Sequence, residues 1–127
     1  MEPEEVMAAV ALARPELVYY VGDRIHRPPL PSDPILPSIV YFRVSLITQP
    51  DIINATAHAQ FTTWAEDWGV AHAVAQELYL ALDGYKGTAS GVVVNGIVHQ
   101  DTRDMYDPET GRCAVHQTFK MLYEEEI

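Results

Sequence analysis

The feature that most restricts the fold is a proline-rich segment directly before the most strand-like part of the chain. Residues 27–37, "RPPLPSDPILP", contain five prolines, and residues 38–47, "SIVYFRVSLI", are mostly β-branched, aromatic or otherwise apolar. Proline lacks a backbone N–H and fixes φ, so residues 27–37 can form neither a helix interior nor a central strand. The pattern predicts that this proline segment is a stiff connector leading into a strand with two apolar faces.

The length and charge of the chain limit its architecture and its partners. A chain of 127 residues fits one domain, which we assign to residues 1–127. There are 18 acidic and 8 basic residues, giving a formal net charge of −10. The only lysines are Lys86 and Lys120 and the arginines are scattered, so the sequence lacks a cluster that would neutralise phosphates. We therefore expect no specific nucleic-acid binding.

Three features bear on where the protein resides. No apolar run approaches the roughly 20 residues that span a bilayer. The first residues, "MEPEE", are acidic, whereas a secretory signal begins with basic residues. Cys113 is the only cysteine, so no internal disulfide can form, which fits a reducing compartment. We expect synthesis in the cytoplasm without export or membrane insertion.

The order of helix and strand signals is typical of an α+β fold. A helix is predicted over residues 3–14, ended by Pro15; an apolar stretch, "LVYYV", and a short edge strand at residues 24–26 follow. Four longer strands are predicted over residues 38–47, 56–65, 92–104 and 112–124. A second helix is predicted over residues 68–82. The stretch "GYKGTASG" is expected to be flexible. We predict one mainly antiparallel sheet of four to five strands, with two helices packed on one face, ending in a long β-hairpin.

Caps and turns mark several of these boundaries. Asp67 is suited to cap the helix at residues 68–82, and Gly84 is suited to end it. Within "YDPETGR", Pro108 fits the first central position of a type I turn and Gly111 fits a left-handed residue. The sequence therefore predicts a tight connection between the last two strands.

Alternation and helical spacing predict which side chains face the core. In the strand over residues 56–65, one face carries His58, Gln60, Thr62 and Trp64, and the other carries Ala57, Ala59, Phe61 and Thr63. The predicted buried stripe of the second helix is Val70, Ala73, Val74, Leu78, Ala81 and Leu82. We expect Trp64, at the passage from strand to helix, to be mostly buried.

Candidate catalytic and metal-binding groups are few. The five histidines are His26, His58, His72, His99 and His116. No histidine has a second His or Cys at a short metal-ligand spacing, although His58, His99 and His116 could meet across the sheet. Cys113 and His116 would point to opposite faces of a strand, so they do not form a nucleophile and base pair. We predict no metal, cofactor or catalytic site; a small enzyme using His58 and His116 remains the alternative from the enzyme class.

The proline segment also resembles a peptide ligand. Its PxxP spacings and the string "PPLP" are typical of polyproline II ligands for aromatic-lined modules. An SH3 ligand usually needs a basic residue at a fixed offset, and Arg27 would require prolines where Leu30 and Asp33 stand. A rigid loop or an inter-subunit arm is the main interpretation, and an adaptor that displays this segment is the alternative.

The order of these pieces resembles a known family of virion proteins. "GDRIH", a proline-bearing loop, "LPSIVYFRVS", "FTTWAEDWGVAHAVAQELYLAL" and "QDTRDMYDPETGRCAVHQTFKMLY" follow one another in this chain. Together, over about residues 18–123, they resemble the tail-completion or tail-terminator proteins of long-tailed bacteriophages and prophages, which join heads to tails. The proline content of the loop before "LP" is higher here than is usual in that family.

The resemblance implies a structural function without chemistry. Such proteins form a ring, commonly a hexamer, on the last ring of the tail tube; they end tail growth and present a surface to the head-side connector. It implies a virion protein that is made in the host bacterial cytoplasm and whose partners are itself, the tail tube protein and the connector or stopper protein. A neighbouring neck or head-closure component of similar build is an alternative. DNA would pass through the ring, and an acidic subunit would not adsorb it.

The expected interface lies in the proline segment. A ring whose contacts are head-to-tail needs an arm or an edge that reaches its neighbour, and a pre-extended segment loses little entropy on binding. The apolar faces of residues 39–47 and 92–98 also exceed what two short helices can cover. The predicted interface residues are Arg27, Pro28, Pro29, Leu30, Pro31, Pro34, Ile35 and Leu36.

Overall fold

A computed structural model describes residues 2–48 and 54–124. In chain order the elements are α1 (Pro3–Leu12), α2 (Pro15–Val21), β1 (Ile25–His26), β2 (Ser38–Thr48), β3 (Asn54–Ala65), α3 (Trp68–Leu82), β4 (Gly87–Ala89), β5 (Val92–Asp107) and β6 (Arg112–Glu124). The strands form one sheet in the order β1-β2-β3-β6-β5-β4. Only the β1–β2 pair is parallel. The α+β class is confirmed, but the described residues form six strands and three helices instead of four to five strands and two helices.

The additional helix, α2, begins at the proline that was expected only to end a helix. Pro15 occupies the first turn of α2, where a missing N–H breaks no helical hydrogen bond. The "LVYYV" stretch therefore continues as helix, with Leu17 and Val21 buried. Gly22, at φ 59°, ends it. Pro15 thus separates two helices instead of only ending one.

The additional strand, β4, lies in the glycine-rich stretch that was expected to be flexible. β4 pairs antiparallel with the start of β5, with Ala89 opposite Val92. The two residues between them, Ser90 and Gly91, have φ angles of 52° and 78°. Positive φ at both central positions is what a two-residue hairpin turn of type I′ requires, and glycine adopts it without steric cost.

The core lies between one face of the sheet and the helices. Small residues on β3, such as Ala57 and Ala59, allow the helices to approach closely, and Phe61 packs edge-on against Phe119 of β6. Asp67 caps α3 as predicted, with its Oδ1 accepting the Val70 N–H at 2.9 Å. The buried stripe of α3 is Ala71, Val74, Ala75, Leu78 and Leu82. Val74, Leu78 and Leu82 were predicted correctly, whereas Val70, Ala73 and Ala81 are only partly buried.

The opposite face of the sheet has no described helix over it. The alternation of β3 is confirmed: Ala57, Ala59, Phe61 and Thr63 face the core, and the face that carries Trp64 is directed away from it. Trp64 is only partly buried, so the expectation that it is mostly buried is wrong. The physical reason is that Trp64 lies on one face of β3 and the helices cover the opposite face.

The long β-hairpin is closed as predicted. Gly111 has φ 72° and donates its N–H to the Asp107 carbonyl at 2.8 Å. The Asp107 carboxylate accepts hydrogen bonds from the Thr110 hydroxyl and the Glu109 N–H. These bonds, the Thr110 one above all, lower the pKa of Asp107.

One buried carboxylate joins three parts of the chain. Glu4 of α1 has 2 % of its side-chain surface exposed. It accepts hydrogen bonds from Arg27 of the proline segment at 2.8 Å and from Arg43 of β2 at 3.2 and 3.3 Å. Glu5 and Glu2 extend this Glu4 cluster by contacting Arg27 and Arg43, respectively. A buried carboxylate needs such partners because the loss of its hydration is costly.

We expect Glu4→Gln to lower the free energy of unfolding by about 2–3 kcal/mol, because it weakens charge-assisted hydrogen bonds to two arginines at once. Glu5→Gln is the matched control: its carboxylate is more exposed, and its loss should cost less than about 1 kcal/mol. Urea denaturation of both variants at pH 7.5 measures the difference. Equal losses would contradict a central position for Glu4.

The contribution of His116 to stability should depend on pH. Burial, aided by Arg103, lowers the pKa of His116, whose Nδ1 lies 2.8 Å from Thr62 Oγ1 and 2.9 Å from Gln60 Nε2. The unfolded chain therefore binds a proton at His116 more readily than the folded chain does. The stability that neutral His116 contributes is complete above about pH 6.5, its pKa in the unfolded chain, and is lost as the pH falls through the lowered folded-state pKa. We expect His116→Gln to lose less stability than the parent between pH 7.5 and 5. Parallel losses in urea melts would contradict this.

Candidate assembly surface

The three histidines of the long strands, His58, His99 and His116, do not converge. His58 and His116 lie on the uncovered sheet face, where they hydrogen-bond to Ser45 and to Gln60 and Thr62 respectively. His99 faces the helices, with its ring against Tyr79 and Phe119. Within residues 2–48 and 54–124, no three His, Cys, Asp or Glu side chains are grouped so that they could hold a metal ion. The geometry gives no support to the alternative of an enzyme using His58 and His116.

Cys113 is a buried side chain on the helix-facing side of β6. His116 lies on the other face, as the spacing predicts. Burial raises the pKa of the Cys113 thiol, and the carboxylates of Asp67 and Asp104 raise it further. A thiol of raised pKa is a poor nucleophile. Cys113 packs in a cluster of small apolar side chains, as a buried cysteine without chemistry does.

The proline segment connects two neighbouring parallel strands, β1 and β2. Arg24 holds its far end, with Nε donating to the Pro37 carbonyl at 3.1 Å and Nη2 donating to the Tyr20 carbonyl at 3.1 Å. Arg27 is fixed within its own chain, because it binds Glu4 and its guanidinium lies 5.5 Å from the centre of the Tyr41 ring. The salt bridge with Glu4 also raises the pKa of Arg27. Both ends of the segment are therefore anchored to the body of the protein.

The middle of the segment presents its side chains unevenly. Pro28, Pro29 and Pro31 are exposed, and Ile35 is 70 % exposed. Leu30, Pro34 and Leu36 are partly buried. The segment also borders a shallow cleft of ≈ 230 Å³ whose lining includes Arg24 and, on β1, His26. Of the eight predicted interface residues, Arg27 is bound within its own chain, while the exposed prolines and Ile35 are displayed; their contact with a partner stays a prediction.

A more continuous apolar surface follows the proline segment on β2. β1 pairs only with Ile39 and Val40, and no described strand lies beside the rest of β2 on that side. The side chains of Phe42, Val44, Leu46 and Ile47 are 38, 53, 38 and 53 % exposed, and we call these four residues the β2 apolar edge. Soluble proteins usually protect a sheet edge with charges, prolines or a covering element. An edge that displays apolar groups instead indicates a protein partner.

The β2 apolar edge was foreseen only in part. The apolar residues on both faces of residues 38–47 indicated more apolar surface than two helices could cover. The sequence does not show that β2 lies next to the end of the sheet, since strand order depends on pairing between distant segments. The bulge at Val44, where the register shifts between Arg43 and Ser45, has no sequence signal either.

The other end of the sheet is also open, but it is polar. β4 pairs only with the first residues of β5, up to Val94. Of the part of the chain that the structure describes, no strand lies beside residues 101–107 on that side, and we call them the β5 open edge. They include Asp101, Arg103 and Asp104, together with the exposed side chains of Met105 and Tyr106.

Similarity to known proteins lies in the fold. No family model matches the chain, and no curated protein matches it. Among solved structures, a chain of the virion of a native gene transfer agent particle has the same fold, with a TM-score of 0.73 over 93 % of each chain and 16 % sequence identity. At this identity the similarity establishes the fold. Separately, no helix in residues 2–48 or 54–124 is long and apolar enough to cross a membrane.

We expect Val44→Lys to reduce self-association while changing the free energy of unfolding by less than about 0.5 kcal/mol, because the side chain is largely in water in the single subunit. Val18→Lys on α2 is the matched control, being an exposed apolar residue away from the sheet edge. Light scattering after size-exclusion chromatography and urea denaturation give the two quantities. Unchanged association of Val44→Lys, or equal loss in both variants, would contradict a partner at the β2 apolar edge.

Proposed function

We propose that this protein is a structural virion component of the tail-completion type. In this proposal it caps the phage tail tube as a ring, ends tail growth and provides the surface that joins the head-side connector. The observation that carries the proposal is the shared fold with a virion chain over 93 % of both chains. The order of the sequence pieces, which resembles the tail-completion family, supports it independently.

The two sheet edges support self-association. A ring of identical subunits needs two different surfaces that fit each other, since one self-complementary surface closes as a dimer. The apolar edge on β2 and the polar edge on β5 are different surfaces at opposite ends of one sheet. A hexamer is the ring size that the resemblance implies.

The charge of the subunit suits a passage for DNA. A net charge of −10 gives a ring of several copies a strongly negative field. DNA would pass through without being retained, since retention requires clustered Lys and Arg that release counterions from phosphates. The partners in this proposal are a second copy of the chain, the tail tube protein and the connector protein, and the function needs no cofactor or catalytic group.

A neighbouring neck or head-closure protein is the closest alternative, because it would share the fold and the virion location. An adaptor displaying its prolines is the other alternative, favoured by the exposure of Pro28, Pro29 and Pro31. Replacing these three prolines with alanine should abolish capture of a partner module under the adaptor hypothesis. Under the ring hypothesis the same change should impair subunit or tail association.

Deletion of the gene from its parent phage or prophage tests the proposal. We expect electron microscopy to show filled heads beside detached or overlong tails, because nothing ends tail growth or joins the connector. Complementation with the parent gene should restore particles, and complementation with the Val44→Lys gene should restore fewer. Normal infectious particles after deletion would overturn the structural role, and tails of normal length with leaking heads would favour the head-closure alternative.

A further inference from the structure

The two open edges of the sheet are available for backbone pairing over similar lengths. Beyond Val40, the described part of β2 pairs with β3 alone, up to Thr48. From Asp101 to the hairpin turn, β5 pairs with β6 alone among the described residues. In both stretches, half of the backbone groups point away from the sheet.

We infer that the β2 apolar edge of one subunit pairs with the β5 open edge of the next, so that the sheet continues from subunit to subunit. This inference rests on the proposed ring. Pairing of β2 with β2, or of β5 with β5, would be two-fold symmetric and would stop at a dimer. Pairing of β2 with β5 uses both of these open stretches in every subunit, so that neither stays free once the ring closes.

The strand directions allow this pairing. β2 is antiparallel to β3, β3 to β6, and β6 to β5, so β2 and β5 run in opposite directions within one chain. Rotation about a ring axis close to the strand direction preserves the direction of each strand. A β2 edge therefore meets the β5 of its neighbour antiparallel, the arrangement of most pairs in the sheet itself.

The backbone donors on the open side of β2 follow from the register. Ile39 donates its N–H to the Arg24 carbonyl of β1 at 2.9 Å, so it points away from β3. In an antiparallel pair this direction alternates, which turns the N–H groups of Tyr41 and Arg43 to the same open side. Beyond the bulge at Val44, Leu46 takes this position.

The donors on the open side of β5 follow in the same way. Ile97 donates its N–H to the Tyr85 carbonyl at 3.1 Å, away from β6, where it lies opposite Met121. Every second residue of β6, counted back from Met121, repeats the pairing geometry of Met121. The β5 residues that lie opposite these positions include Thr102, Asp104 and Tyr106. These three residues therefore direct their N–H groups outward and could complete a ladder with a neighbouring β2.

Side-chain burial supports the same contact. The exposed apolar groups of β2 are divided between the two faces of the sheet, with Phe42 and Ile47 on the uncovered face and Leu46 on the helix-facing one. On β5, Met105 lies on the uncovered face and Tyr106 on the helix-facing one, 47 and 53 % exposed. Edge-to-edge pairing would bring apolar groups together on both faces at once.

Hydrogen–deuterium exchange on assembled protein, with Val44→Lys as the monomeric reference, tests the inference. We expect slower exchange on assembly at Tyr41, Arg43 and Leu46 and also at Thr102, Asp104 and Tyr106. Amides of β6, paired on both sides in the single subunit, should change little. Electron microscopy of the same sample reports ring formation separately.

A ring with both segments protected supports the inference. A ring with neither segment protected, or with only one, overturns the inference and leaves the proposed function standing. A chain that stays monomeric, alone and with tail tubes, overturns the proposed ring and this inference together.

A proline substitution tests the backbone bonds directly. Thr102→Pro removes one outward N–H but no bond to β6, and prolines are tolerated at such edge positions. Thr102→Ala is the matched control, because it removes the hydroxyl that contacts His99 and keeps the N–H. With equal thermal stability of both variants, we expect Thr102→Pro to weaken association by about tenfold relative to Thr102→Ala. Equal association of the two variants would overturn the pairing.

Discussion

The uneven cover of the sheet determines most of what this protein can do. Three helices pack on one face of six strands, and α3 lies against β3 and β6 at its centre. The central strands are therefore stabilised by pairing on both sides and by burial on one face. Toward both ends of the sheet these contacts decrease, so that apolar groups of β2 and β5 remain in water. In a chain that acts alone such groups contribute little stability and promote aggregation, which is why we relate them to assembly.

The Glu4 cluster connects this assembly surface to the core. Arg43 lies on β2 beside the β2 apolar edge, and Arg27 begins the proline segment, yet both bind the same buried carboxylate of α1. A displacement of the proline segment or of the β2 apolar edge would break charge-assisted hydrogen bonds to Glu4. Water could not replace these bonds unless α1 also moved, because the carboxylate is buried. The cluster thus holds the proline segment, β2 and α1 in one fixed geometry, and a preorganised surface loses less entropy on binding.

Signals that depend on neighbouring residues predicted the structure well, and those that depend on distant pairing did not. The Asp67 cap, the turn from Asp107 to Gly111 and the alternation of β3 are local properties, and the structure confirms them. Pro15 was misjudged because proline is equally suited to follow one helix and to begin another. β4 was missed because a three-residue strand beside glycines has no periodicity. Trp64 was expected in the core because the sequence shows two faces of a strand but not which face the helices cover.

The same distinction applies to the candidate interface. Prolines attract notice in a sequence, and they led to residues 27–37, of which Arg27 proves to bind its own chain. The more continuous surface is the neighbouring strand, whose exposure follows only from its place in the sheet.

The composition of the two edges also bears on which pairs form. Two copies of the β5 open edge placed side by side would bring together a net negative charge, because Asp101, Asp104 and Asp107 outnumber Arg103 there. Like charges directly opposite each other destabilise a strand pair, whereas an uncharged neighbour does not. The apolar edge of β2 offers β5 such a neighbour, and its bulge at Val44 interrupts the flat geometry that would favour indiscriminate pairing. The distribution of charge between the edges therefore disfavours the β5–β5 dimer and favours the head-to-tail contact that a ring requires.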